Sequence, residues 1–368
     1  MNYIWQDKDF PNFTFNLEVV TGIVQEFAIK LGEVHSLYET LSLENKEDFL
    51  VHIISAETQH TSGIEGEVFS REDVMSSVRM QLGLHNSLPQ TRDKRILGIS
   101  RVMLDVREQY ETPLSVELIQ EWHRILFQDK KMDQMGEWRV GPEAMQIVSG
   151  SLHNQKVDYE APPASNVPQL MNQFIDWYVS FPYTDFGRVG RAMLRAALTH
   201  LYFETIHPFN DGNGRIGRAL AEKALAETLN APLFISLSQQ IETDRNLYYE
   251  NLKKAQRDLE VTEWLIYFFE LIDKAEQQVK DIIIFTANKA KFFDQFNSQL
   301  SKPQRKAINK MFDAGPTGFK GGMTKRKYIS ITRTSDSTAT RHLQYLKDIG
   351  ALQMEGAGRS VCYHLVLD

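Results

Sequence analysis

The stretch His207-Pro208-Phe209-Asn210-Asp211-Gly212-Asn213-Gly214-Arg215-Ile216-Gly217-Arg218 gathers a titratable base, a carboxylate, a glycine-rich turn and two arginines. Gly212-Asn213-Gly214 frees the backbone to turn its N–H groups toward one point. The apolar run that follows (Ile216, Ala219, Leu220, Ala224, Leu225) has helical spacing. A loop of this kind opening a helix is an anion site. Asp211 suits a divalent cation that bridges phosphates, because magnesium commonly uses one carboxylate with phosphate oxygens and waters. Arg215 and Arg218 share a helix face and can clamp further phosphates. His207, just before the turn, is placed as general base for a hydroxyl attacking phosphorus. The bland alternative is a capping histidine and an ordinary turn before an amphipathic helix. So many apt positions in one order favour the chemical reading.

This stretch resembles the signature of the Fic family, His-Pro-Phe-x-Asp/Glu-Gly-Asn-Gly-Arg-x-x-Arg, and matches it at every specified position. The resemblance implies a mainly α fold: a Fic-type helical bundle with a short β-hairpin flap. It also implies transfer of the AMP part of ATP, with Mg2+, onto a Ser, Thr or Tyr hydroxyl of a target protein, automodification included. By the same resemblance His207 deprotonates the hydroxyl, Asp211 binds magnesium, and Gly212, Asn213, Gly214, Arg215, Gly217 and Arg218 hold the nucleotide. The related Doc branch, which transfers a terminal phosphate, has a lysine where this chain has Gly214, and that difference favours AMP transfer.

Upstream, Thr61-Ser62-Gly63-Ile64-Glu65-Gly66 ends a helical stretch. A glutamate there meets the negative end of the helix dipole and calls for compensation. The segment is similar to the Ser/Thr-x-x-x-Glu-Gly/Asn pattern of Fic proteins with an N-terminal inhibitory helix. The resemblance implies that Glu65 forms a bidentate pair with Arg218 and takes the place of the nucleotide's last phosphate. In some relatives the same glutamate also supports removal of AMP.

The chain has 368 residues, a length for two or three domains, and a net charge of -7. From residue 301 onward there are 12 Lys and Arg against 5 Asp and Glu, so the excess acid lies in the first 300 residues. That asymmetry points to a separate tail module. A single Cys362 excludes an intrachain disulfide, and its alternating Val-Cys-Tyr-His-Leu context reads as a buried strand residue. No basic-then-apolar leader opens the sequence, and no apolar run reaches the ~18 residues a bilayer needs. The expectation is a cytoplasmic protein without a membrane partner.

In order, residues 1 to 16 read as an extended, aromatic-pinned segment and 17 to 42 as an amphipathic helix. Three helices are predicted over 73–82, 93–110 and 115–127. Residues 145–151 and 156–159 have strand character around a polar turn containing His153, a solvated residue on this reading. Ile147, Val148, Ser149 and Gly150 match the family's flap, an edge for strand-like pairing with a target. A hairpin that simply covers the bundle is the alternative. Helices over 166–180 and 187–205 follow. Arg188, Arg191 and Arg195 read as a solvated or salt-bridged face, and His200 as structural. Past 229, Thr243 can cap a helix bearing Tyr248 and Tyr249, which cannot both face the core. The family lines its adenosine site with a similarly placed Tyr-Tyr pair and an Asn; here Gln256 replaces that Asn.

From Ser301 the pattern of three short helices, a polar-faced second helix capped by Ser335 or Asp336, and a terminal strand pair looks like a winged helix-turn-helix, for DNA or for a protein partner. The expected division is 1–114 (N-terminal helices with the inhibitory helix), 115–275 (catalytic core), 276–297 (connecting helix) and 298–368 (winged helix). Fic proteins of this layout often self-associate, so a homodimer is implied. Two function classes remain: an autoinhibited protein adenylyltransferase, and a DNA-binding regulator whose Fic domain senses nucleotide. The intact signature favours the enzyme, since a sensor has no need of the base.

Overall fold

A computed structural model describes residues 3–84, 93–128, 135–151 and 154–367. The chain forms two compact units, Met1–Gly32 with Ile53–Gln277, and Glu33–His52 with Gln278–Asp368. His153 lies outside the described residues.

The first helices are α1 (Thr21–Glu39), α2 (Leu43–Ile64), α3 (Arg71–Gln81), α4 (Lys94–Glu108) and α5 (Val116–Leu126). A hairpin of β1 (Gln146–Ser151) and β2 (Asn154–Glu160) precedes α6 (Val167–Ser180), α7 (Gly187–Ile206) and α8 (Asn213–Leu229). The first unit is built around α7 and α8. Every residue of α7 from Ala192 to Ile206 is buried, as is every residue of α8 from Arg215 to Ala226. Helices buried all round must satisfy their polar side chains internally. Lys223 donates to the carbonyls of Tyr110 at 2.8 Å and Thr112 at 2.5 Å, just beyond α4, and Arg107 pairs with Glu222 at 3.0 Å. Arg195 is likewise buried, ion-paired with Glu227 at 3.0 Å and lying over Tyr178. It is therefore no part of a solvated face.

Two local expectations change. Residues 3 to 16 are not simply extended: Ile4–Gln6 form a 3₁₀ turn with Ile4 buried, and Thr14 bridges Glu260. Between Pro232 and Tyr248 a seven-residue helix, α9 (Leu237–Thr243), precedes α10 (Arg245–Ala255). The α10 cap is Asp244, whose carboxylate accepts from Leu247 N–H at 3.0 Å, with Thr243 closing α9 instead. α9 is too short for a helical period to stand out.

The long α11 (Thr262–Phe296) is one continuous helix. In the second unit, Phe285 and Phe292 from α11 join a core with α12 (Lys302–Phe312), α13 (Lys325–Thr332) and α14 (Asp336–Asp348). Ile308, Phe312, Tyr328, Leu343 and Leu346 are its buried centre. Ser335 caps α14, leaving Ser337, Thr340 and Arg341 exposed on its first turns. An antiparallel hairpin of β3 (Leu352–Glu355) and β4 (Cys362–Leu365) closes the unit, with Met323 bridging Tyr363. Cys362 is only partly buried, because one face of this terminal hairpin is left open.

Candidate active site

The loop between α7 and α8 is shaped by residues on both sides of it. His207 ends α7 in the left-handed region (φ 49, ψ 60) while its N–H still closes the last helical turn on Phe203 O. Gly212, at φ 84, starts α8, and a side chain there would drive into Phe127. Asn213 spends its side chain on this loop: Oδ1 accepts from Phe209 N–H at 2.9 Å and Nδ2 donates to Phe209 O at 2.8 Å. Only its backbone faces the helix N-terminus as an anion donor.

Two residues not singled out by the sequence reading hold the loop from outside. Arg139 donates through Nε to His207 O at 2.8 Å and through Nη2 to Pro162 O at 2.6 Å. His123 accepts from Gly136 N–H through Nδ1, so its Nε2 carries the proton and donates to Asp211 O at 3.1 Å. Burial pushes the His123 imidazole down to about 4, which keeps it neutral, and it stacks on Phe209 at 3.9 Å. Neither residue stands near the signature in sequence, so no local pattern marks them.

His207 Nδ1 faces the Glu204 carboxylate at 3.6 Å, one helical turn back. Burial works to raise the Glu204 carboxyl, but the neighbouring His207, His200 and Arg218 more than offset it and hold it below the usual carboxylate value. A carboxylate facing Nδ1 favours the tautomer that carries its proton there and leaves Nε2 as the acceptor. Gly217, expected at the nucleotide, instead lets α8 approach α7: a Cβ there would lie 2.4 Å from Glu204 Oε1 and 3.2 Å from His200 Nδ1.

Asp211 is half exposed on the loop, with Oδ1 accepting from Gly212 N–H at 2.7 Å and from Arg215 Nη2 at 3.5 Å. A single water-accessible carboxylate beside an anion site is the oxygen donor that magnesium accepts. Both arginines of the signature already carry carboxylates. Arg218, only 1% exposed, donates through Nη2 to Glu65 Oε1 at 2.9 Å, and through Nε and Nη2 to the hydroxyl and carbonyl of Thr61. The contact with Glu65 is one hydrogen bond, from Nη2, not the expected bidentate pair; Thr61 accepts from Nε and from the same Nη2. Burial would lower the Arg218 guanidinium; Glu65 more than reverses this and holds it charged. A Cβ on Gly214 would lie 2.7 Å from Glu65 Oε1, so the glutamate stands directly over the glycine turn. Arg215 pairs with Glu67 at 3.4 Å, a partner the sequence reading did not name.

Tyr248 is buried and its hydroxyl meets His200 Nε2 at 2.8 Å. Tyr249 is 45% exposed, its phenol pushed up by partial burial and by the charge of Glu65. Of the pair, Tyr249 is the one left for a ligand. Gln256 is buried and donates to Glu204 O at 3.1 Å, which ties α10 to the end of α7.

The hairpin is pinned to the same place. Tyr159 OH donates to Thr205 O at 2.5 Å, and Lys253 pairs with Asp158. Among the described residues β1 pairs only with β2, with a bulge between Ile147 and Val148 and with Val148 43% exposed. Ser149 and Gly150 continue that strand.

Residues 113–225 match the family model of the Fic/DOC family, and residues 3–84 match a domain of unknown function, DUF4172. The chain is 26% identical over 227 residues to a protein adenylyltransferase Fic of Drosophila willistoni, covering 61% of this chain and 40% of that protein. It is 26% identical over 216 residues to a protein adenylyltransferase Fic of Nematostella vectensis, covering 57% of this chain and 44% of that protein. The chain thus spans less than half the length of these curated relatives. Among solved structures, a Fic family protein from Desulfovibrio desulfuricans G20 superposes with a TM-score of 0.58 at 18% identity, covering 97% of this chain and 98% of that one. A Fic domain containing signaling protein from Bacteroides thetaiotaomicron gives 0.52 at 16%, covering 71% and 98%. At these identities the structural likeness concerns the fold. Together with the signature loop between α7 and α8, these matches show that residues 113–225 are similar to the Fic/DOC family, in sequence and in fold.

Proposed function

We infer that this chain is a protein adenylyltransferase, transferring AMP from ATP to a hydroxyl side chain of a protein, and that Glu65 holds it inactive. The observation that carries this reading is the convergence of His207, Asp211, Gly214 and Arg218 on the N-terminus of α8, with the Glu65 carboxylate over Gly214. A carboxylate paired with a buried arginine at a helix N-terminus stands where a terminal phosphate would.

In the reaction a target hydroxyl, laid along β1 by strand pairing, gives its proton to His207 Nε2 as its oxygen attacks the α-phosphorus. The bond to the bridging oxygen breaks and pyrophosphate leaves. The orphan N–H groups of α8 and the guanidinium of Arg218 stabilise the phosphates, and Arg215 holds them from the same face. Mg2+ held by Asp211 would supply the charge that bridges the phosphates. The lysine that the related Doc branch has in place of Gly214 is missing here, a difference that favours AMP transfer. Tyr249 offers a ring for the adenine. The C-terminal unit, with its exposed α14, is on this reading a winged helix that selects the partner, DNA or protein.

The test is label transfer to protein from α-labelled and γ-labelled ATP, using Glu65→Gly with and without His207→Ala. Only α label, lost without His207, supports the reading. Transfer of γ label would make it a kinase-like member, and transfer of neither would favour the nucleotide-sensing regulator.

A further inference from the structure

The hairpin of the second unit brings three metal-ligating side chains together, far in sequence from the signature. Cys362 and His364 are two apart on β4 and therefore on one face. Glu355 of β3 is the register partner of Cys362, so its carboxylate joins that face. His364 Nε2 lies 3.4 Å from Cys362 Sγ and 3.1 Å from Glu355 Oε2, and all three donor atoms fall within 4.8 Å of one another. Zinc bonded tetrahedrally at its usual lengths sets sulfur and nitrogen about 3.5 Å apart and nitrogen and oxygen about 3.4 Å apart. The two measured separations are close to those edges. The opposite wall is Gly322, at φ +60, where a Cβ would lie 2.9 Å from both Cys362 Cβ and His364 Nε2. A side chain there would press on the Cys362 and His364 side chains.

We propose that Glu355, Cys362 and His364 form a site for one divalent cation of the zinc class, with water in the fourth position. One thiolate, one imidazole and one carboxylate suit a borderline cation better than magnesium. On binding, the Cys362 thiol gives its proton to solvent and no redox change occurs. The bound ion ties β3 to β4 across residues 356–361 and so fixes the end of the hairpin.

The chain contains one cysteine, so a thiolate-to-metal charge-transfer band can arise nowhere else. The experiment titrates Co2+ into the chelator-treated, reduced full-length chain and records the near-ultraviolet spectrum. The expected result is a band saturating at one Co2+ per chain and bleached by Zn2+. It should be absent in Cys362→Ser and weakened roughly tenfold or more in apparent affinity in His364→Ala and Glu355→Gln. Glu355 is 75% exposed in its side chain, so Glu355→Gln folds as the parent does, which circular dichroism checks. No band in the parent, a band undiminished in both His364→Ala and Glu355→Gln, or saturation at one metal per two chains would each overturn the site. Cobalt taken up at Asp211 has oxygen ligands and gives no such band.

Discussion

His207 occupies a left-handed conformation that costs a non-glycine residue roughly 1–3 kcal/mol. The surroundings that hold it there are Arg139 on its carbonyl, Asn213 on the following loop and Glu204 on its ring. Glu204 is a positioning residue: it touches His207 and acts through it. In a Glu65→Gly background, Glu204→Gln is expected to lower kcat for AMP transfer roughly tenfold or more, with KM for ATP unchanged. Glu204→Asp should recover part of the loss. An equal fall in kcat/KM carried by KM alone would show that Glu204 only supports the nucleotide pocket. The sequence made His207 and Asp211 legible because their neighbours form a dense local pattern. Glu204 was not, since a glutamate three residues before a helix end reads as an ordinary polar position until burial of the whole of α7 is seen.

The end of α2 is fastened as a unit. Arg245, opening α10, donates to Gly63 O at 3.0 Å and Ile64 O at 3.2 Å, the carbonyls a helix C-terminus leaves unpaired. Glu242 of α9 meets His60 Nδ1 at 2.5 Å, and its carboxylate lies against Gly63. These contacts set the angle at which Glu65 reaches Arg218. Arg245→Ala should therefore raise automodification severalfold in the parent chain and change nothing once Glu65 is glycine. A rise of equal size in both backgrounds would place Arg245 in the transfer step instead. Helices α3 to α8 could be read from periodicity and caps alone, including Ser115, whose hydroxyl accepts from Leu118 N–H at 3.2 Å. The clamp could not, because Arg245 and α2 are joined only by the tertiary fold, and α9 is shorter than the pattern that would reveal it.

Across the first unit, α2, α4 and α8 meet in a buried polar network. Glu57 accepts from Ser236 Oγ at 2.7 Å and from Ser238 N–H at 3.1 Å, and Glu222 lies between Glu57 and Arg107. Burial, with Glu57 adding and Arg107 opposing, pushes the Glu222 carboxyl up to about 8. A carboxyl raised on folding contributes stability that is complete below its unfolded value and is lost as pH rises through the folded one. Above pH 6.5, where the depressed His123 no longer contributes a slope, unfolding free energy should fall toward pH 8, by at most about 1.4 kcal/mol per pH unit for this proton. Denaturant unfolding of the parent and Glu222→Gln measures it, and the variant should show the flatter profile. Equal slopes would remove Glu222 from this role. Buried charge of this kind leaves no trace in composition, whereas the basic C-terminal unit and its helix order could be read from charge balance and capping residues.

The central claim is that Glu65, in the turn that ends α2, occupies the phosphate end of an otherwise complete transferase site. Its most direct measurement is the rate at which α-phosphate label from ATP enters protein for the parent, for Glu65→Gly, and for Glu65→Gly with His207→Ala. The account predicts a low rate in the parent, a rise of at least tenfold in Glu65→Gly, the change that corresponds to about 1.4 kcal/mol, and loss of transfer in the double variant. Equal rates in the parent and Glu65→Gly would contradict it.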